Sequence, residues 1–153
     1  MIALWSSRCS SERGAVAVEA GVVIPALLLL VVGSVEFGRL IWTYNTILLA
    51  VEEAGHYAMV YNYGRPVTCG VQSQASGCPI LSNTPIANCS AARAQQVLSA
   101  YQISTINVSA KEDTTTSPTT ITVCASYSFD FVAPQLLPYG PLNLTRQITV
   151  PLL

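Results

Sequence analysis

The chain has 153 residues, a net charge of −1, only 10% charged residues and a mean hydropathy of +0.46. That length fits one small domain plus an accessory segment and excludes two full domains. So few charges would disperse a free globule poorly, so apolar surface must meet lipid or partners. The seven basic residues are scattered, which excludes the electrostatic footprint of a nucleic-acid binder.

The first fourteen residues, MIALWSSRCSSERG, are short and polar, with Arg8 and Arg13 set against Glu12. From Ala15 to Val35 the chain is apolar, with Glu19 as its only charge. At about 1.5 Å per residue this run reaches roughly 31 Å, enough to cross a hydrocarbon core of about 30 Å. Glu36 and Arg39 close it and stand at i, i+3, where they can pair on one helix face. Arg8 and Arg13 put the N-terminus in the cytoplasm by the positive-inside rule. A cleaved secretory signal with Val32-Gly33-Ser34 as its exit is the competing reading, but Glu36-Phe37-Gly38-Arg39 leads straight into more helix.

Beyond Arg39, apolar residues at Leu40, Tyr44, Ile47, Val51, Ala54 and Ala58 recur at helical spacing. Asn45, Glu52 and His56 fall on another face. The pattern predicts one helix from about Ala15 to about Tyr61, far longer than a globular helix and ended by Gly64-Arg65-Pro66. Trp42 and Tyr44 suit a membrane interface, while Tyr57, Tyr61 and Tyr63 are expected to face a sheet. Residues 66–90 read as a polar loop. Ser90 to Tyr101 reads as a short helix, with Ser90 as N-cap and an apolar stripe of Ala91, Ala94, Val97, Leu98 and Tyr101. Three strands are predicted, over 103–108, 120–129 and 142–150, the first two joined by a polar turn from Lys111 to Pro118. The fold class is therefore α+β, a long helix laid on a small antiparallel sheet. The segments are a leader over 1–14, a transmembrane helix over 15–35, its continuation over 36–63, and an external domain over 64–153.

The cysteines divide across the apolar run. Cys9 precedes it, and Cys69, Cys78, Cys89 and Cys124 follow it. Four on the oxidising side can form two disulfides, in a pairing the sequence leaves open, while Cys9 stays in the reducing compartment. Eight and ten intervening residues among the first three argue against a zinc site of CxxC type, and no metal or cofactor is expected. His56 is the only histidine, so neither a triad nor a multi-histidine centre can form. The acidic pairs Glu52-Glu53 and Glu112-Asp113 read as solvated faces. The sequons at Asn88, Asn107 and Asn143 are expected by chance in so Ser/Thr/Asn-rich a chain. Pro25 frees the carbonyl of Gly21, and Gly21, Gly33 and Gly38 offer close helix approach.

The segment with most chemistry is Gly14-Ala15-Val16-Ala17-Val18-Glu19, a glycine at the polar–apolar junction followed five residues later by a carboxylate. It resembles the processing site of class III, type IV-like prepilins. The resemblance implies that a membrane aspartyl prepilin peptidase cuts after Gly14, making Ala15 the new N-terminus and Glu19 the fifth mature residue. A carboxylate in a spanning helix costs up to about 2.5–3.5 kcal/mol at the bilayer centre and less near its edge. An ammonium freed at Ala15 would supply the counter-charge. The competing reading of Glu19 is a helix-start carboxylate favoured by the macrodipole.

Arg13-Gly14-Ala15-Val16-Ala17-Val18-Glu19, Pro25 six residues later, the leucine run and Glu36-Phe37-Gly38-Arg39 together resemble the TadE-like family. The likeness covers roughly residues 13–60 and weakens over Glu53 to Ala58, where family members commonly have an arginine near His56. It implies a non-enzymatic minor pseudopilin needed for assembly or function of adhesive Flp pili. Its implied partners are the prepilin peptidase, other pilins and pseudopilins, inner-membrane Tad assembly proteins and the bilayer. The alternatives are a signal-anchored periplasmic binding or sensor module and, more remotely, a secreted hydrolase.

Overall fold

A computed structural model describes residues 9–61, 69–70, 78, 84–103, 105–132, 134 and 140–152, with side chains from Gly14 onward. Its elements are α1 (Cys9–Tyr61), α2 (Pro85–Ala100), β1 (Asn107–Asp113), β2 (Thr120–Phe129) and β3 (Leu142–Pro151). The chain divides into two compact units, one ending at Arg39 and the other running from Leu40 to Leu153.

In the first unit α1 holds the apolar run in one unbroken helix, with Pro25 inside it. From Val16 to Val31 its large apolar side chains are 48–71% exposed. This is the stretch, among the described residues, long and apolar enough to cross a membrane. Arg39 Nη1 donates to Glu36 Oε2 at 2.9 Å, the i, i+3 pair expected from the sequence. A Cβ added at Gly21, Gly33 or Gly38 would meet nothing within 4 Å, so these glycines leave open helix surface.

The second unit is a three-stranded antiparallel sheet in the order β1-β2-β3, with helices on one face. Register places Val108 and Ala110, Ile121, Val123, Ala125, Tyr127 and Phe129, and Leu144, Arg146, Ile148 and Val150 on that face, two residues apart along each strand. On it pack Ile47, Ala50, Val51, Ala54 and Ala58 of α1 and Ala87, Ala91, Ala94 and Leu98 of α2, all buried. α1 covers β3: Gly55 is buried, and a Cβ there would stand 3.3 Å from Ile148 Cγ2 and 3.4 Å from Val150 Cγ1. The small residues at 50, 54, 55 and 58 are what let the helix backbone approach the strand. α2 covers β1 and β2. The two helices are joined by Arg93 Nη2 donating to Glu53 Oε1 at 2.8 Å, half-exposed and so worth at most about 1 kcal/mol.

Five expectations need correction. The second helix begins at Pro85, not Ser90: Thr84 is the N-cap, and Pro85 fills a first-turn position where no N–H is needed. Ser90 lies inside, donating to the Ile86 carbonyl at 2.8 Å. The first strand lies over Asn107–Asp113, not 103–108. Residues 101–103 close α2 instead, through Gln102 N–H to Ser99 O and Ile103 N–H to Leu98 O. Lys111 to Asp113 stay paired with Thr122 to Thr120, so the turn starts at Thr114. There the Thr115 hydroxyl and, next, its backbone N–H donate to Asp113 and hold its carboxyl below the ordinary 3.8. Tyr44 packs against the core with the Arg146 guanidinium 4.5 Å above its ring. Tyr61, expected to face the sheet, is exposed and stacks on Tyr57 at 4.6 Å. The helix stop at Gly64-Arg65-Pro66, Tyr63 and the first eight residues lie outside the described residues.

Gln102 takes a left-handed conformation, φ 60°, in this double-hydrogen-bonded helix end, a position that glycine fills without steric cost. Gln102→Gly is expected to stabilise the domain by about 1 kcal/mol and to raise its thermal midpoint by about 4 °C. Circular dichroism melting of the full chain in detergent checks this.

Candidate functional site

Two regions carry the residues singled out by the sequence. The first is the Gly14–Glu19 junction in the unit that ends at Arg39. Helical backbone runs through it, since α1 starts five residues before Gly14. Ala15 and Glu19 stand one turn apart on one face, and Gly14, Ala15 and Glu19 are all exposed. A Cβ on Gly14 would meet nothing within 4 Å. Among the described residues, packing therefore places no demand for glycine at this position. Nor is Glu19 at a helix start: ten residues of α1 precede it, beyond the first turn over which the macrodipole favours a carboxylate. That reading of Glu19 is set aside for the uncut chain.

The second region is the cysteine frame. Cys69 bonds Cys89, and Cys78 bonds Cys124, with Cα separations of 5.0 and 5.7 Å. Cys89 is buried on α2. Cys124 is buried on β2 but points to the sheet face away from the helices, beside Ser109 of β1. The connection between α1 and α2 is thus pinned on both sides of the sheet, to a helix by one bond and to the opposite face by the other. All four thiols are consumed, which removes the ligands a zinc site would use. The polar composition of 66–90 puts Cys89 in a loop, whereas Pro85 at the helix start is the signal that places it on α2.

The polar side chains of α1 form no chemical centre. Asn45, Glu52 and His56 are exposed, and among the described residues no three of His, Cys, Asp and Glu come together. Ser109 Oγ, Thr84 Oγ1 and Asn88 Oδ1 are buried without a hydrogen-bond partner, but they are dispersed over the sheet and the start of α2. What is built at atomic detail is a cross-linked scaffold. What is presented to the outside is an apolar helix with one glycine–carboxylate mark.

Residues 14–56 match the model of the TadE-like protein family. The TadE-like match opens on Gly14 and ends at His56, inside α1, so it takes in the apolar run, Glu19, Pro25 and the Glu36–Arg39 pair. It leaves α2, the sheet and the four bonded cysteines beyond its TadE-like segment. No curated protein and no solved structure matches the chain.

The disulfides close loops of 20 and 46 residues. Chain entropy gives them about 3 and about 4 kcal/mol respectively. Replacing both Cys78 and Cys124 by serine should lower the denaturant midpoint more than replacing both Cys69 and Cys89. Urea titration of the two double variants in detergent measures it.

Proposed function

We propose that this chain is a non-enzymatic TadE-like minor pseudopilin that takes part in assembly or function of an adhesive Flp/Tad pilus. In this reading Ala15–Val35 anchors it in the bacterial inner membrane, with the N-terminus cytoplasmic and the Leu40–Leu153 unit periplasmic. The observation that carries the reading is the family match, whose first residue is the glycine of the proposed cleavage mark. Arg8 and Arg13 support the orientation, as do two disulfides that need an oxidising compartment.

Prepilin peptidase would cut between Gly14 and Ala15. Because that bond lies in helical backbone, the enzyme must first unwind it. Glycine eases this, since it disfavours helix by about 1 kcal/mol relative to alanine. Cutting has two electrostatic effects at Glu19. It creates an ammonium one turn away, and it moves the helix start so that the macrodipole reaches the carboxylate. Both lower the cost of holding Glu19 near the membrane edge, in its own helix or beside the freed amine of a neighbouring pilin. The mature chain would then associate with other pilins and pseudopilins and with inner-membrane Tad assembly proteins.

Edman sequencing of the protein from membranes of a cell expressing the cognate peptidase is expected to begin at Ala15. A chain that keeps its Met1 leader would overturn the pilin reading and leave a signal-anchored periplasmic binding or sensor module. With processing retained, Glu19→Ala is expected to reduce surface pili to background, counted by electron microscopy. Normal piliation would remove the charge pairing from the argument.

A further inference from the structure

The β1–β2 hairpin ends in a run of hydroxyls that the pilus reading does not use. Six of the seven residues from Thr114 to Thr120 are threonine or serine, with Pro118 as the exception. β1 stops at Asp113 and β2 starts at Thr120, so the residues between them leave the ladder, and those from Thr114 to Pro118 are all exposed. Turn geometry does not call for these side chains. No residue of the turn takes a left-handed conformation, and only Ser117 and Pro118 are residues that turns favour. Threonine, branched at Cβ, belongs by preference in strands, so a turn holding Thr114, Thr115, Thr116 and Thr119 goes against its local rule. Conflicts of this kind mark places where something other than folding selects the residue. Hydrogen bonding accounts for half of the hydroxyls. Thr115 Oγ1 donates to Asp113 Oδ1 at 2.6 Å, Thr116 Oγ1 donates to the Asp113 carbonyl at 3.2 Å, and the Thr116 and Thr120 hydroxyls stand 3.3 Å apart. Thr119 is half-buried where the loop rejoins the sheet. The hydroxyls of Thr114 and Ser117 are left, exposed and without a hydrogen bond to any described residue.

We infer that Thr114 and Ser117 are acceptors for O-linked glycosylation, with a lipid-phosphate-linked sugar as the donor. Hydroxyl-rich segments that carry proline are the composition that O-linked sugars decorate. The inference rests on reading the Leu40–Leu153 unit as periplasmic, where an activated sugar arrives on a lipid carrier. In the transfer the hydroxyl oxygen attacks the anomeric carbon, and the glycosidic bond forms as the bond from that carbon to phosphate breaks. The hydroxyl proton passes to a base of the transferase, and the lipid phosphate leaves. A transferase must surround its acceptor, and loop tips are the part of a domain that a second protein can enclose without unfolding it. Thr114 and Ser117 sit there with no bond to break first, whereas Thr115 and Thr116 are tethered back to Asp113. Sugars on these two oxygens would hang clear of the core.

The test is intact mass spectrometry of the full chain purified from membranes of the bacterium that encodes it, with electron-transfer fragmentation of the peptide that holds the hairpin. The mass is expected to exceed that of the polypeptide by whole sugar residues, placed on Thr114 and Ser117. Thr114→Val combined with Ser117→Ala should abolish the increment, while Thr115→Val, which removes a tethered hydroxyl, should leave it in place. The thermal midpoint of the double variant, read by circular dichroism in detergent, should be unchanged, so that loss of sugar is not loss of fold. A bare hairpin would overturn the inference, as would phosphate in place of sugar, or sugar confined to Asn88, Asn107 or Asn143. The same spectrum reports on the compartment separately, through the hydrogens lost to disulfides. A bare hairpin on a chain with both disulfides closed refutes the sugar and leaves the periplasmic reading standing. Four free thiols at Cys69, Cys78, Cys89 and Cys124 refute the periplasmic reading, and the sugar with it.

Discussion

A single helix that must satisfy two different surroundings is the constraint on which everything else depends. Before Arg39, α1 shows exposed valine and leucine all round from Val16 to Val31. After it, the same helix is narrowed to one apolar face of small residues, Ala50, Ala54, Gly55 and Ala58, that fits against β3. An all-round apolar helix belongs in lipid or in a helical assembly; a one-sided one belongs on a sheet. The Glu36–Arg39 pair marks the change of pattern, with its carboxylate buried and its guanidinium half-exposed.

Hydrophobic periodicity made most of this architecture legible. Period-3.6 spacing located the buried face of α1, and strict alternation located β2 to the residue, because the helices and the opposite sheet face demand different side chains. Errors arose where local chemistry competes with pattern. Ser90 looks like a cap, yet a serine inside a helix can return its hydrogen bond to the previous turn, and here it does. Ile103 looks like the start of a strand, but it is used to seal the end of α2. Lys111 to Asp113 look like a turn, yet they are the last paired residues before it, at the hairpin end of the β1–β2 ladder. Tyr44 looks interfacial, while its ring lies under a guanidinium contributed by β3, a partner about one hundred residues away that no local pattern reveals.

The junction was a matter of motif alone, since Gly14 and Glu19 are exposed and a Cβ on Gly14 would meet nothing within 4 Å. The disulfide pairing was the reverse case. It depends on which helix and which sheet face the connecting segment crosses, a three-dimensional fact that spacing does not encode.

That pairing interleaves: one bond joins the first and third of the four bonded cysteines, the other the second and fourth. An oxidant acting in order of emergence would link Cys69 to Cys78, the wrong couple, before α2 had appeared. Reaching the native arrangement then requires exchange through mixed disulfides rather than oxidation alone. Maturation of this domain would consequently be sensitive to an isomerase, since Cys69 must wait for α2 and Cys78 for β2.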